Sequence, residues 1–134
     1  MKLRYSYLIA TVIFFAIDMV WLGLIAKNLY KAKLGFILSD QVNWMAAIIF
    51  YLLYIGGILY FALIPAFKDA SWQTALINGA ILGMLCYATY DLTNMATIAK
   101  WPLSIVFIDI AWGIVLTGGV SVLSYLVIEK LLKL

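Results

Sequence analysis

Long apolar runs alternate with short polar breaks along the chain, and four of the runs are long enough to cross a membrane. A helix rises about 1.5 Å per residue, so about 20 residues span a hydrocarbon core of about 30 Å. The four runs cover residues 7–26, 44–64, 75–95 and 102–128. Pro65 is expected to close the second, and Pro102 to open the fourth, since proline is tolerated in a first helical turn. A second pattern lies inside the runs. Ala75, Gly79, Gly83, Tyr87 and Asp91 recur every four residues in the third, and Asp109, Gly113, Thr117, Ser121 and Tyr125 do so in the fourth. Residues four apart share a helix face. Each of these helices thus carries a stripe of small or polar side chains with an aspartate at one end. Small stripes let transmembrane helices approach closely, so the third and fourth spans are expected to pack along them. In the first span Ser6, Ala10 and Asp18 fall on one row with Trp21 beside them. The second span carries no charge and reads as scaffold.

The polar breaks predict the connections. Lys27 to Asn43 forms the one long loop. Its LYKAKLGFIL portion mixes Lys31 and Lys33 with Leu34, Phe36 and Ile37, and is expected to lie in the membrane interface as a short helix. Ser39 and Asp40 are the expected caps of the second span. Lys2 and Arg4 ahead of an apolar run imitate a secretory signal. Asp18 within that run, and no small-residue cleavage site, instead predict a retained first span. The expected fold is an all-α membrane protein. Four transmembrane helices form a compact bundle, a single domain over residues 1–134, with both termini on the same side.

Composition sharpens the class. Hydrophobic residues make up 67% of the chain and charged residues 11%, with a mean hydropathy of +1.10. So few charges cannot cover that much apolar side chain in a soluble fold, which makes the lipid bilayer the expected surrounding. The net charge of +3 comes from scattered basic residues rather than a stripe, so no nucleic-acid partner is expected. Lys2, Arg4, Lys68, Lys130 and Lys133 fall on the terminal face, and Lys27, Lys31, Lys33 and Lys100 on the loop face. This slight excess leans toward cytoplasmic termini. The single cysteine rules out a disulfide within the chain. The absence of histidine rules out histidine-ligated haem, histidine-box di-iron chemistry and histidine-based nucleophile activation. No cofactor and no dedicated metal site is expected. Any chemistry falls to Asp, Tyr, Lys, Ser, Thr or Asn.

Three aspartates lie inside the spans: Asp18, Asp91 and Asp109. An ionisable residue at a helix centre costs about 2.5–3.5 kcal/mol on insertion scales, so three of them need a reason. Spans one and three run from the terminal face to the loop face, and Asp18 and Asp91 lie past their midpoints. Span four runs back, and Asp109 lies early in it. All three carboxyls should therefore occupy the loop-face half, within a few turns of one another, where sharing a proton is favoured. FAIDMVWLG (15–23) and VFIDIAWG (106–113) echo each other, each with tryptophan three residues after aspartate. Trp21 and Trp112 would then orient a carboxylate or cap the pocket through their N–H groups. Asp91, Thr93 and Asn94 are expected to line one wall, with Tyr87 and Tyr90 as hydroxyl donors. The loop-face lysines would border the pocket and pair with part of its charge.

Plainer readings stand beside these. An intramembrane aspartate can simply bond a neighbouring helix. Trp44, Trp72 and Trp101 sit at span ends and fit an aromatic belt. Trp21 and Trp112 serve packing as readily as a pocket. The glycines read as packing residues, Cys86 as a small apolar filler, and the loop lysines as interfacial anchors.

IDMVWLG, the Asn28–Tyr30 pair, YATYDLTNMAT and WPLSIVFIDIAWG together resemble the domain-of-unknown-function family 2177 of small bacterial membrane proteins, over nearly the whole chain. The resemblance implies a multi-pass protein of the bacterial inner membrane and adds Asn28 to the candidate site residues. It implies no activity. Three functions stay open. The first is proton- or cation-coupled transport or binding of a small molecule by the acidic pocket. Four short spans make a narrow protomer, so a homodimer or another membrane-protein partner is expected with it. The second is a membrane enzyme acting on a lipid or isoprenoid, with Asp91 or Asp109 as acid or base or with paired aspartates holding Mg²⁺. No aspartate follows another at four residues, so the DxxxD spacing of intramembrane prenyltransferases is absent. The third is a non-catalytic accessory subunit of a membrane complex.

Overall fold

The computed structural model describes residues 1–39 and 41–134, and no described residue lies in a strand. Four helices follow one another: α1 (Lys2–Leu34), α2 (Trp44–Asp69), α3 (Trp72–Thr97) and α4 (Leu103–Leu131), each long and apolar enough to cross a membrane. Lys2 pairs with Glu129 near the far end of α4, which brings the two ends of the chain to the same end of the bundle. The helix α4 is the most enclosed of the four. It packs along its length on α3 and also against α1.

Helix α1 runs further than its apolar pattern predicts. The segment expected as a separate interfacial helix is its continuation, and Leu34 is buried against Trp101, Ile105 and Val106 at the start of α4. This docking explains why the basic turn around Lys31 and Lys33 stays helical. Ser6, Ala10, Phe14 and Asp18 form one buried row. A wide turn over Trp21–Ile25 then interrupts it, with the Ala26 N–H reaching back five residues to the Trp21 carbonyl. Leu22 is exposed, and burial resumes at Ala26 and Leu34. Wide turns of this kind are often found at functional sites.

Helix α2 begins one turn away from its expected cap. The Asn43 side chain accepts from the Ala46 N–H at 3.1 Å. Ser39 instead bonds Gln41 within the loop, and Asp40 lies outside the described residues. Nor does Pro65 close α2, which continues to Asp69. Proline removes the N–H that would bond the carbonyl four residues back and crowds that carbonyl. Two local adjustments absorb this. A wide turn at Leu59–Leu63 precedes the proline, and Asn78 of α3 donates its amide to the orphaned Phe61 carbonyl at 3.0 Å. Ala70 then ends α2 in the left-handed region, φ 49°. Ser71 caps α3 by accepting from the Thr74 N–H at 3.2 Å.

The α3–α4 contact follows the two small-residue stripes. A Cβ at Gly79 would lie 2.7 Å from the Ser121 Cβ and 2.8 Å from the Thr117 carbonyl. One at Gly83 would lie 2.7 Å from the Gly113 carbonyl carbon. The helices touch backbone to backbone here, which a side chain at either position forbids. From the other side Tyr54 of α2 bonds the Thr117 hydroxyl at 2.6 Å. The main core gathers Phe14, Tyr54, Ile55, Ile58, Leu63, Leu116 and Val120 from three helices.

Candidate functional site

Toward the loop end the α3–α4 stripes stop being small. Tyr87 follows Gly83 and packs over Gly113, and the aspartates follow Tyr87. Asp18, Asp91 and Asp109 are all buried, Asp91 completely. Asp91 of α3 stands against Asp109 of α4 and beside the Trp101 indole. Asp109 accepts a hydrogen bond from the Tyr30 hydroxyl of α1. Asp18 accepts from the Tyr51 hydroxyl of α2 at 3.5 Å, and the Trp112 indole lies against the same carboxyl.

The two Asp-x-x-Trp segments cross. Rather than serving its own helix, Trp112 of α4 reaches Asp18 of α1, and Trp21 of α1 lies beside Tyr30, the donor to Asp109. The indoles stack face to face, centroids 4.4 Å apart and planes 9° apart. Antiparallel direction explains the exchange. A step of three residues is about 4.5 Å along a helix, so in opposed segments each tryptophan comes level with the other segment's aspartate.

Most of these groups border an open cleft of about 280 Å³, lined among others by Asp18, Trp21, Tyr30, Tyr51, Asp109 and Trp112. Tyr87 and Tyr90 also line it. They also line a second, apolar cavity of about 320 Å³ with Phe50, Tyr54 and Cys86. The second cavity exists because α2 and α3 meet mainly around residues 59–69, while the Trp44–Ile58 half of α2 stands off from α3. Its outer wall faces the surrounding lipid: Phe50 is 48% exposed and Tyr90 56%.

Charge at the site is not balanced by protein. Among the described residues the only ion pair is Lys2–Glu129. Lys27, Lys31, Lys33 and Lys100, expected to offset the pocket's charge, make no ion pair with it. Both Asp91 carboxyl oxygens and the Trp101 Nε1 are buried without a hydrogen-bond partner among the described residues. No group of three or more described Asp, Glu or Cys residues is placed to hold a metal ion.

Of the residues singled out from the sequence, Asp18, Trp21, Tyr87, Tyr90, Asp109 and Trp112 line the cavity, and Asp91 stands directly behind Asp109. Three are placed differently. Asn28 is exposed, and Tyr30, half a turn on, is the residue directed inward. Thr93 is exposed and turns its hydroxyl back to the carbonyls of its own helix at Thr89 and Tyr90. Asn94 is half-buried beside Tyr90 and does not line the cavity. Trp101 is not a belt residue: it is 7% exposed and packs under Leu34. The residues alone say little of the part Tyr30, Tyr51 and Trp101 play: tyrosine and tryptophan near span ends, as Tyr30 and Trp101 are, are ordinarily interfacial, and Tyr51 lies in the run that reads as scaffold. The Asn28–Tyr30 pair held the one usable signal.

The fold and the buried carboxyls define a multi-pass helical membrane protein. The chain belongs to the family described as predicted membrane protein (DUF2177), whose family model matches residues 3–126. No curated protein and no solved structure matches the chain.

Proposed function

We propose that the protein binds a small cationic molecule in exchange for a proton at the Asp91–Asp109 pair, as a transporter or binding protein of the bacterial inner membrane. The observation that carries the reading is Asp91: fully buried, beside a second carboxyl, with both oxygens unpartnered among the described residues. A bare carboxylate there is costly, so it holds a proton or meets a cation. The adjacent cavity of about 280 Å³ sits at the lower edge of the roughly 300–1,000 Å³ usual for small-molecule pockets. In lipid nanodiscs without buffer, ethylammonium added at neutral pH is expected to release protons from wild type and none from Asp91→Asn. Wild type that releases none overturns the reading. Flux in proteoliposomes then separates transport from binding.

One observation favours a second reading, an enzyme acting on a lipid or isoprenoid. The Tyr30 hydroxyl donates to Asp109 at the cavity wall, and such a pair can pass a proton to a bound substrate. A lipidome changed by deleting the gene, and restored by wild type but not by Asp109→Asn, would move this reading ahead.

A further inference from the structure

We infer that the ligand is a lipophilic ammonium, a single hydrocarbon chain with a cationic head, which enters sideways from the bilayer between α2 and α3. The inference rests on the cation-binding reading above and assigns a use to the second cavity. Tyr87 and Tyr90 line both cavities, so the acidic and the apolar space adjoin at these two side chains. The apolar space is framed by Phe50, Tyr54 and Cys86 and offers a chain almost no polar surface. It faces lipid where α2 stands away from α3. A head at Asp109 and a tail past Tyr87 and Tyr90 would fill both at once.

The head is specified by charge. Asp18 and Asp109 line the acidic side, Asp91 stands behind Asp109, and no described lysine or arginine pairs with any of the three. A carboxylate or phosphate head is repelled there, and a neutral alcohol leaves the charge unbalanced. The tyrosine and tryptophan rings around the head position suit a cation, which aromatic faces attract. The tail is specified by access, because a water-soluble cation gains nothing from a lipid-facing apolar cavity.

Cys86 makes this measurable, since the chain's only cysteine stands in the apolar cavity. The full-length protein in phosphatidylcholine nanodiscs is treated with N-ethylmaleimide in the presence of dodecylammonium, dodecanol or dodecanoate. Dodecylammonium is expected to slow Cys86 alkylation about tenfold at roughly ten times its Kd, and the other two less than about twofold. Asp91→Asn is expected to lose the protection. Phe50→Ala, which opens the apolar wall without touching a carboxyl, is expected to weaken it. Equal protection by all three chains, or by none, overturns the inference. Ethylammonium separates the two readings. If it still releases protons while dodecylammonium leaves Cys86 unprotected, the acidic pocket stands and the lateral route falls. If neither acts, both fall.

Discussion

The two halves of the α3–α4 contact are built on the same four-residue stripe and do opposite things. In the half nearer the termini the stripe is Gly79 and Gly83 against Gly113, Thr117 and Ser121, and the backbones meet with no room for a Cβ. In the loop-end half the stripe continues as Tyr87, Asp91 and Asp109. Here the polar groups outnumber their partners, and α2 withdraws to leave an opening to lipid. Close backbone approach gains dispersion contacts at every atom and fixes the helix pair. The fixed pair can then hold, one or two turns further on, a carboxyl arrangement in which Asp91 is left without a hydrogen-bond partner among the described residues. The first half is packing, and the second is where the proposed proton exchange would take place.

That contrast is most easily broken at Gly83. Gly83→Leu should prevent folding, and Gly83→Ala should cost about 2–3 kcal/mol in reversible unfolding from mixed micelles. Gly57→Ala, a glycine with no neighbour for a Cβ within 4 Å, should shift stability by less than about 0.5 kcal/mol. Equal effects at the two sites would remove the close-packed half from the account. Asp91→Asn tests the other half. It keeps the shape and removes the exchangeable proton, so stability should change by under about 1 kcal/mol while ligand-linked proton release disappears. A loss above about 3 kcal/mol would make Asp91 a packing residue instead.

The boundary between the halves gives smaller effects. Tyr54→Phe removes the 2.6 Å bond to Thr117 where α2 leaves α3, and should cost about 0.6–1.7 kcal/mol, as interhelical bonds in membranes do. Asn78→Leu should cost about 1 kcal/mol in wild type, and almost nothing in Pro65→Ala, where a restored N–H bonds the Phe61 carbonyl. A double-mutant cycle showing no coupling would separate the wide turn in α2 from the proline. One change should be a gain. Ala70→Gly relieves a left-handed alanine at φ 49° and should stabilise by about 1 kcal/mol, read as a raised unfolding midpoint.

Much of this was legible in the residues alone. Apolar run length required four spanning helices, because lipid leaves a backbone no other way to satisfy its hydrogen bonds. The i, i+4 spacing of Gly79, Gly83, Gly113 and Thr117 showed which two helices meet, and the depths of Asp18, Asp91 and Asp109 showed that the carboxyls share a level. These are one-dimensional properties, periodicity and distance along a helix. What only the tertiary structure decided was which neighbour each group meets. The continuation of α1 past Lys27 depends on a docking surface made by Trp101, Ile105 and Val106, far away in the chain. The passage of α2 through Pro65 depends on Asn78 of another helix. The crossed Asp-x-x-Trp pairs, the inward turn of Tyr30 in place of Asn28, and the cavity shared across Tyr87 and Tyr90 depend on helix rotation. A rotation of one residue's worth, about 100°, turns an inward side chain out. Wide turns such as Trp21–Ile25 change that phase without leaving a mark in the hydropathy pattern.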